Sequence, residues 1–98
     1  MKSIKRAVAL IAISCGLLVG GAAAANADTD YPDEGGTWEH GFSWTIVYSA
    51  YWHPDRTHGS TACNAYLCEH SGWYSRGYKS WTQVPTTYWG NTVWYSFP

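Results

Sequence analysis

Cys63 and Cys68 are the side chains of this sequence best suited to covalent or metal chemistry. They flank Asn-Ala-Tyr-Leu, and an even pair at so short a spacing in a small domain is most simply a disulfide if the chain is exported, as residues 1–27 indicate. Two alternatives stay open, namely a pair of free thiols and a metal site completed by His58 and His70. Because the spacing differs from that of zinc knuckles and export favours oxidised sulfur, we predict a Cys63–Cys68 disulfide and no metal site.

A hydrolytic enzyme would have to be built from a few scattered groups. Glu39, Asp55 and Glu69 are the candidates for an acid–base pair. Ser71 follows His70 directly, but adjacency in sequence does not produce the hydrogen bond that activates a nucleophile, and no nucleophile-elbow motif surrounds this serine. So short a chain also leaves little room for a cleft. We therefore expect no enzyme, no catalytic residue and no cofactor.

The beginning of the chain has the three parts of an export signal. Lys2, Lys5 and Arg6 form a positive tip, residues 7–21 are apolar and uncharged, and the sequence Ala-Asn-Ala ends at Ala27. The apolar run is long enough to raise the alternative of an uncleaved membrane anchor. Its glycine and alanine content and its Ala-x-Ala ending favour cleavage after Ala27. We therefore expect a secreted, extracellular product.

The charge changes sign after this leader. The remaining chain contains three basic residues, Arg56, Arg76 and Lys79, and all seven acidic residues, so its net charge is −4. Nucleic acid is therefore an unsuitable partner, since phosphate binding needs clustered Lys and Arg. The same charge weighs against a cationic membrane-disrupting peptide, because such a peptide needs a basic face to bind anionic lipid. No second long apolar stretch follows, so we expect no stable membrane insertion.

The composition divides the chain into three segments. Residues 1–27 are the predicted secretory signal peptide. Residues 28–36 read Asp-Thr-Asp-Tyr-Pro-Asp-Glu-Gly-Gly, which is acidic and poor in apolar residues and predicts a flexible N-terminal tail. Residues 37–98 form the predicted folded domain.

Short strands account for the pattern of the folded domain. Large and small residues alternate from Thr37 to Ser49, which predicts one long strand or a hairpin bent at Gly41. A turn follows at residues 53–56, because proline and aspartate favour turns. Further strands are predicted at 57–67 (one strand, or two interrupted near Asn64), 73–75, 78–84, 86–89 and 92–97. The fold class is therefore all-β, as a small antiparallel β-sandwich or barrel-like domain.

Aromatic residues dominate the apolar content of this domain. All seventeen aromatic residues follow the leader, whereas the larger aliphatic residues there are only Ile46, Val47, Leu67, Val84 and Val93. These aliphatic side chains cannot enclose a core by themselves. We therefore expect most of the rings to be buried, with about four to six left exposed for recognition.

Several motifs of the domain resemble the lactococcin 972 family of exported bacteriocins. They are G-G-T-W-E-H-G at 35–41, V-Y-S-A-Y-W-H at 47–53, T-H-G-S-T at 57–61 and S-G-W at 71–73, followed by Trp81. The resemblance implies a secreted antibacterial protein with a small β-sandwich fold, and it leaves a homodimer open. It further implies that Gram-positive cell-wall and septum synthesis is inhibited by binding the wall precursor lipid II rather than by forming pores. The cysteine pair and the acidic net charge depart from the family pattern.

Lipid II contains a pyrophosphate, two sugars, a peptide and a lipid tail, so an acidic protein needs placed donors to bind it. We propose two donor patches as candidate target-binding residues. His53, Arg56 and His58 form the first, and Arg76 and Lys79 form the second. Solvated charges in turns are the alternative for each patch. Exposed Trp or Tyr side chains would stack on the sugars.

An extracellular carbohydrate-binding or adhesion β-module is the competing interpretation, because small β-sandwiches rich in aromatic residues can bind glycans. Such a module would bind a polymer without killing cells. A growth-inhibition assay therefore separates the two functions.

Overall fold

The computed structural model describes residues 3–9 and 26–98, and side chains from residue 27 onward. These residues form strands and no helix, which confirms the all-β fold class. The strands are β1 Ser3–Ala9, β2 Asn26–Asp30, β3 Thr37–Phe42, β4 Ile46–Trp52, β5 Gly59–Cys63, β6 Cys68–His70, β7 Lys79–Pro85 and β8 Thr92–Phe97. Within the described ranges, no helix long and apolar enough to cross a membrane is found.

The strands form two antiparallel sheets. The first sheet has the order β1-β8-β5-β6, and the second has the order β2-β3-β4-β7. Their inner faces meet in one core, to which the second sheet contributes Trp38, Val47, Tyr51 and Val84 and the first contributes Ala62, Val93, Tyr95 and Phe97. Of the two architectures that the sequence leaves open, the structure is therefore the sandwich. The predicted cleavage after Ala27 would remove β1, and it remains a prediction.

The first hairpin turns later than the sequence predicts. β3 continues through Gly41, which lies opposite Tyr48, and the chain reverses only after Phe42. Ser43 makes this turn, because its Oγ accepts hydrogen bonds from the amides of Thr45 and Ile46 at 3.1 and 3.2 Å. A serine hydroxyl that binds nearby amides offers the backbone an alternative to the strand ladder. The predicted bend at Gly41 is therefore wrong.

The second hairpin confirms the interruption near Asn64. Asn64 Oδ1 accepts hydrogen bonds from the amides of Tyr66 and Leu67 at 2.7 and 2.9 Å. Cys63 and Cys68 lie directly opposite each other at the base of the loop and are joined by a disulfide. The loop is therefore closed both covalently and by an asparagine turn.

Residues 86–89, predicted as a strand, belong to the loop between β7 and β8 instead. Asn91 organises this loop, since its Oδ1 accepts from the amide of Thr87 at 3.1 Å and its Nδ2 donates to the carbonyl of Thr87 at 2.7 Å. These bonds occupy the backbone groups that a strand would offer to its neighbour.

The acidic segment 28–36 differs from the flexible tail that its composition predicts. Residues 28–30 belong to β2, which pairs with β3 along the edge of the second sheet. Asp30 reaches the buried ring of His40, with 2.9 Å between Oδ2 and Nε2. Glu34 accepts a hydrogen bond from the hydroxyl of Tyr95 at 2.8 Å. Specific partners in the core therefore hold a segment that carries few apolar residues of its own.

Gly36 shows why the Gly-Gly-Thr-Trp motif begins with small residues. Its φ is +89°, and a Cβ at this position would lie 2.3 Å from the carbonyl oxygen of Trp52. The ring of Tyr51 would also be 3.0 Å away. Any other residue would be strained here and would separate the segment from β4.

The core contains fewer rings than the sequence predicts. Four of the seventeen aromatic side chains are buried, four are partly buried and nine are exposed. Small hydroxyl residues and histidines fill the remaining interior, namely Ser49, Ser60, Ser80, His40, His53 and His58. The serines bind one another and a ring, as in the 2.9 Å contacts of Trp38 Nε1 with Ser49 Oγ and of Ser60 with Ser80, whereas the histidines bind Asp30 and backbone groups. Because such pairs satisfy buried polar groups, polar side chains can fill interior space that the rings were expected to fill. The expectation that most rings are inside is therefore wrong.

Candidate functional site

His53 lies inside the domain, and its hydrogen-bonding capacity is used there. Its Nδ1 accepts from the amides of Asp55 and Arg56, both at 3.0 Å. Its Nε2 lies 2.9 Å from the carbonyl oxygen of Glu34, to which it donates. The ring therefore joins the segment before β3 to the turn after β4, and it presents no donor to a ligand.

His58 is fully buried beside it. Nδ1 lies 2.7 Å from the carbonyl oxygen of Arg56, and Nε2 lies 2.7 Å from that of Tyr78. Both nitrogens therefore face backbone groups of the protein itself. His58 connects the turn after β4 to the start of β7.

Arg56 is the one member of the first predicted patch that reaches the surface. Its guanidinium carbon lies 3.7 Å from the centroid of the Phe97 ring, a cation–π contact at the edge of the core. The structure therefore places His53, Arg56 and His58 close together, but it does not form a three-donor surface from them.

The second predicted patch lies at the start of β7. Arg76 is exposed in the turn before this strand. A hydrogen bond from the amide of Tyr78 to the carbonyl of Ser75, at 3.2 Å, closes that turn. Lys79 is half-exposed and pairs with Glu39 of β3, with 3.1 Å between Nζ and Oε1. The lysine thus reaches across β4 on the outer face of the second sheet.

Three aromatic rings on this outer face, Tyr48, Trp52 and Trp81, form a surface that we call the aromatic platform. The rings of Tyr48 and Trp81 stack with centroids 5.0 Å apart and an angle of 8° between their planes. Trp52 lies opposite Lys79 in the β4–β7 ladder, and its Nε1 donates to the carbonyl of Gly77 at 3.2 Å. The platform therefore has planar rings at its centre and the Lys79 cation at its edge.

A small residue, Ala50, lies at the centre of the platform. Ala50 lies opposite both Trp81 and Glu39, and it has no exposed surface although it belongs to the outer face. The side chains around it therefore close over its methyl group. Gln83 extends the polar border, because its Oε1 accepts from Nε1 of Trp81 at 3.1 Å.

The platform keeps its phenol in the protonated form. Partial burial raises the pKa of Tyr48 above its ordinary value of 10.0, and the carboxylates of Glu39 and Asp28 raise it further, while Lys79 opposes them. The neutral hydroxyl can therefore both donate and accept a hydrogen bond. Rings that stack, bordered by a hydroxyl, an amide, a carboxylate and an ammonium group, form a surface suited to sugars.

The sequence predicted Lys79 and Arg76 as donors, which stays a prediction, but it predicted neither the platform nor the pairing of Lys79 with Glu39. The alternation along β4 and β7 carried the signal, since Tyr48, Trp52 and Trp81 occupy outward positions of those strands. The later turn at Ser43 reverses the phase of the alternation between β3 and β4. As a result, Tyr48 faces outward although the alternation assigned it to the face of Trp38.

Two observations concern the alternative metal site at Cys63, Cys68, His58 and His70. In the described part of the chain, no group of three or more His, Cys, Asp or Glu side chains could hold a metal ion. Cys63 and Cys68, the sulfur ligands of the alternative metal site, are consumed by the disulfide.

Comparison with protein families gives a match that covers most of the folded domain. Residues 34–95 match the sequence model of the family described as Bacteriocin (Lactococcin_972). The matched span runs from Glu34 through the aromatic platform to Tyr95 of β8. Neither a curated protein nor a solved structure matches the chain.

Proposed function

The chain belongs to the lactococcin 972 family of bacteriocins, and from this membership we propose that it is a secreted antibacterial protein that binds lipid II. Binding would withhold the precursor from Gram-positive cell-wall and septum synthesis, and it would not require a pore. The membership supports the antibacterial activity and a non-enzymatic mode of action. The aromatic platform is the observation that supports the target.

The sugars of lipid II suit the platform. Because the rings of Tyr48 and Trp81 stack on each other, the ring surface that they leave open can contact the C–H groups of a sugar, and Trp52 adds a further exposed ring along β4. Glu39, Lys79 and Gln83 border these rings and can bind hydroxyl and amide groups. A polar border around stacked rings orients a sugar as well as holding it.

The anionic groups of the precursor suit the cations at the start of β7. Lys79 and Arg76 lie at the end of the platform that carries Trp52. With a net charge of −4 after the leader, the protein cannot attract an anion through its overall field. Placed donors are therefore required, and His53 and His58 do not contribute to them because their rings bind the backbone.

The test compares two tryptophans of equal exposure. Trp81 on the platform is 46% exposed, and Trp73 outside it is 48% exposed. We expect Trp81→Ala to weaken binding to lipid II in vesicles by about tenfold and to raise the inhibitory concentration in parallel. Trp73→Ala is the matched control and should leave both unchanged. Equal binding by the two variants would reject the platform as the site.

The mode of action is tested on sensitive Gram-positive cells with protein recovered from the culture medium. Growth arrest with blocked septa and without potassium leakage is expected. Rapid leakage would contradict the proposal in favour of pores. Binding to wall glycan without growth arrest would favour the carbohydrate-binding module, which the same platform could also serve.

A further inference from the structure

Three loops come together at one end of the sandwich, opposite the end that carries Arg56 and Arg76. They are the β3–β4 turn at 43–45, the β5–β6 loop at 64–67 and the β7–β8 loop at 86–91, and we call them the loop end. Strand pairing places them together, since Ile46 lies opposite Pro85 and Cys63 lies opposite Thr92. Both sheets therefore contribute to this surface.

The loop end exposes large side chains and carries no charge. None of its three loops contains Asp, Glu, Lys, Arg or His. Its exposed side chains include Tyr88, which is 92% accessible, together with Trp44, Tyr66, Leu67 and Trp89. The rings of Tyr66 and Trp89 contact each other across two of the loops, with centroids 6.4 Å apart. Single exposed apolar residues are ordinary, but exposed rings that adjoin one another mark an interaction surface.

Hydrogen bonds between the loops hold these side chains outward. Thr86 donates its amide to the carbonyl of Thr45 at 3.0 Å and its hydroxyl to the carbonyl of Ser43 at 2.9 Å. The amide of Ala65 donates to Thr87 Oγ1 at 3.0 Å. Asn64 Nδ2 donates to the carbonyl of Pro85 at 2.8 Å.

Close contact adds to this bracing. A Cβ on Gly90 would lie 3.0 Å from the Cα of Ala65, so the β5–β6 and β7–β8 loops touch through their backbones. The Cys63–Cys68 disulfide closes the base of the β5–β6 loop. A surface fixed before binding loses little conformational entropy when it binds.

We propose that the loop end docks into the interfacial layer of the target cell's lipid bilayer. Trp and Tyr suit this layer, because their rings enter the acyl boundary while their N–H and O–H groups stay among the headgroups. The absence of charge removes the cost of bringing an ionised group to that boundary. Docking at this depth leaves the sheets outside the membrane, so it requires neither a spanning segment nor a pore.

The lack of basic residues also determines which lipids are needed. Peripheral proteins that use Lys and Arg bind anionic lipid and lose affinity in salt. The loop end has no such residue, so its binding should occur on neutral lipid and persist in salt. Neither expectation depends on lipid II, and the inference therefore goes beyond the proposed function.

Vesicle flotation tests the inference with vesicles of phosphatidylcholine alone. The protein is recovered from the culture medium, and its N-terminus is verified by mass spectrometry, because a retained apolar leader would bind vesicles by itself. We expect binding that is unchanged between low and high salt, with tryptophan fluorescence quenched by lipids brominated near the headgroup. A protein that does not float with these vesicles, or that is released by salt, would overturn the inference.

The matched variants assign the binding to a surface. Tyr88→Ala combined with Trp89→Ala should weaken vesicle binding on the order of tenfold, whereas Trp81→Ala on the platform should not change it. If the double variant has a lower thermal midpoint, Tyr88→Ala alone is used for the same measurement, because removing an almost fully exposed ring should not destabilise the fold. Unchanged vesicle binding by the Tyr88 and Trp89 variants would overturn the inference. A double variant that binds vesicles normally but changes from a dimer to a monomer in gel filtration would overturn it as well.

Addition of lipid II to the same vesicles separates this inference from the proposed function. Trp81→Ala should lose only the increase in binding that lipid II produces. Binding to plain vesicles without such an increase keeps the inference and rejects lipid II as the ligand. A protein that does not bind plain vesicles but binds vesicles containing lipid II would support lipid II as the ligand and overturn the inference.

Discussion

At the scale of single residues, buried imidazoles take over the role of backbone partners. The ring of His53 accepts two amide hydrogens and donates to one carbonyl, so it satisfies groups that the turn after β4 would otherwise leave unpaired. The two ring nitrogens of His58 lie 2.7 Å from the carbonyl oxygens of Arg56 and Tyr78, and the N–H of the ring donates to one of them. Because an unpaired buried backbone group costs about 1–3 kcal/mol, these histidines stabilise the fold from inside.

His70 is different, because it lies near the surface of β6 and can report on pH. Burial lowers the pKa of His70 from its ordinary value of 6.5. The ring accepts a hydrogen bond from the amide of Gly72 at 2.9 Å through Nδ1 and packs edge-on against Trp73. Protonation would remove that acceptor and place a charge against the backbone of the β6 segment.

We predict that His70 lowers stability as the pH falls below about 6.5. The folded state binds this proton less readily than the unfolded state, so the contribution is complete above the unfolded pKa and decreases as the pH falls through it. Urea unfolding at pH 7.5 and pH 5 should show a larger loss for the wild type than for His70→Gln, whose amide oxygen can still accept from Gly72. Equal losses in the two proteins would show that other groups cause the pH dependence.

At the scale of elements, short polar side chains decide where the strands end. Ser43, Asn64 and Asn91 each bind backbone groups two to four residues away and so terminate β3, β5 and the loop before β8. Such residues prefer turns because they compete with the sheet for the same amides. The strand at 92–97 and the hairpin around Asn64 could be predicted, since alternation and turn residue agreed there. The turn at Ser43 could not, because Gly41 offered a stronger local signal.

The disulfide belongs to this scale, because it closes one hairpin rather than joining distant parts of the chain. We predict that Cys63→Ser with Cys68→Ser lowers the free energy of unfolding by about 2 kcal/mol while the fold persists. The asparagine turn at Asn64 remains to hold the loop. Urea denaturation of the double variant and of the oxidised wild type measures the difference, with the reduced wild type as the control. An unchanged midpoint would show that the turn alone fixes the loop.

At the scale of the whole molecule, six of the nine exposed rings belong to two surfaces with different surroundings. The aromatic platform is bordered by Glu39 and Lys79, whereas the loop end carries no charge. Composition could predict that some rings serve recognition, but not that nine are exposed. Burial depends on which strands pair and on how serines and histidines fill the interior, and neither is visible in the spacing of aromatic residues.

The two surfaces also define a direction relative to the membrane. β7 runs from Lys79 to Pro85, which adjoins the loop end. Six residue steps along a strand span about 20 Å. If the loop end lies in the headgroup layer, then Lys79 and Arg76 lie about 20 Å above it. The platform between them would stand beside the part of lipid II that projects from the membrane, and the cations would meet its peptide rather than its pyrophosphate.

We therefore predict that Arg76→Gln weakens binding to lipid II about three- to fivefold only when the precursor carries its peptide, since an exposed ion pair contributes up to about 1 kcal/mol. Vesicles with lipid II or with the same precursor lacking the peptide provide the two measurements. Arg56→Gln is the matched control, because this arginine is also exposed but lies over Phe97. A loss of the same size on both precursors would place the guanidinium of Arg76 at the pyrophosphate. That outcome would require the opposite end of the sandwich to face the membrane, and it would contradict docking through Tyr88 and Trp89.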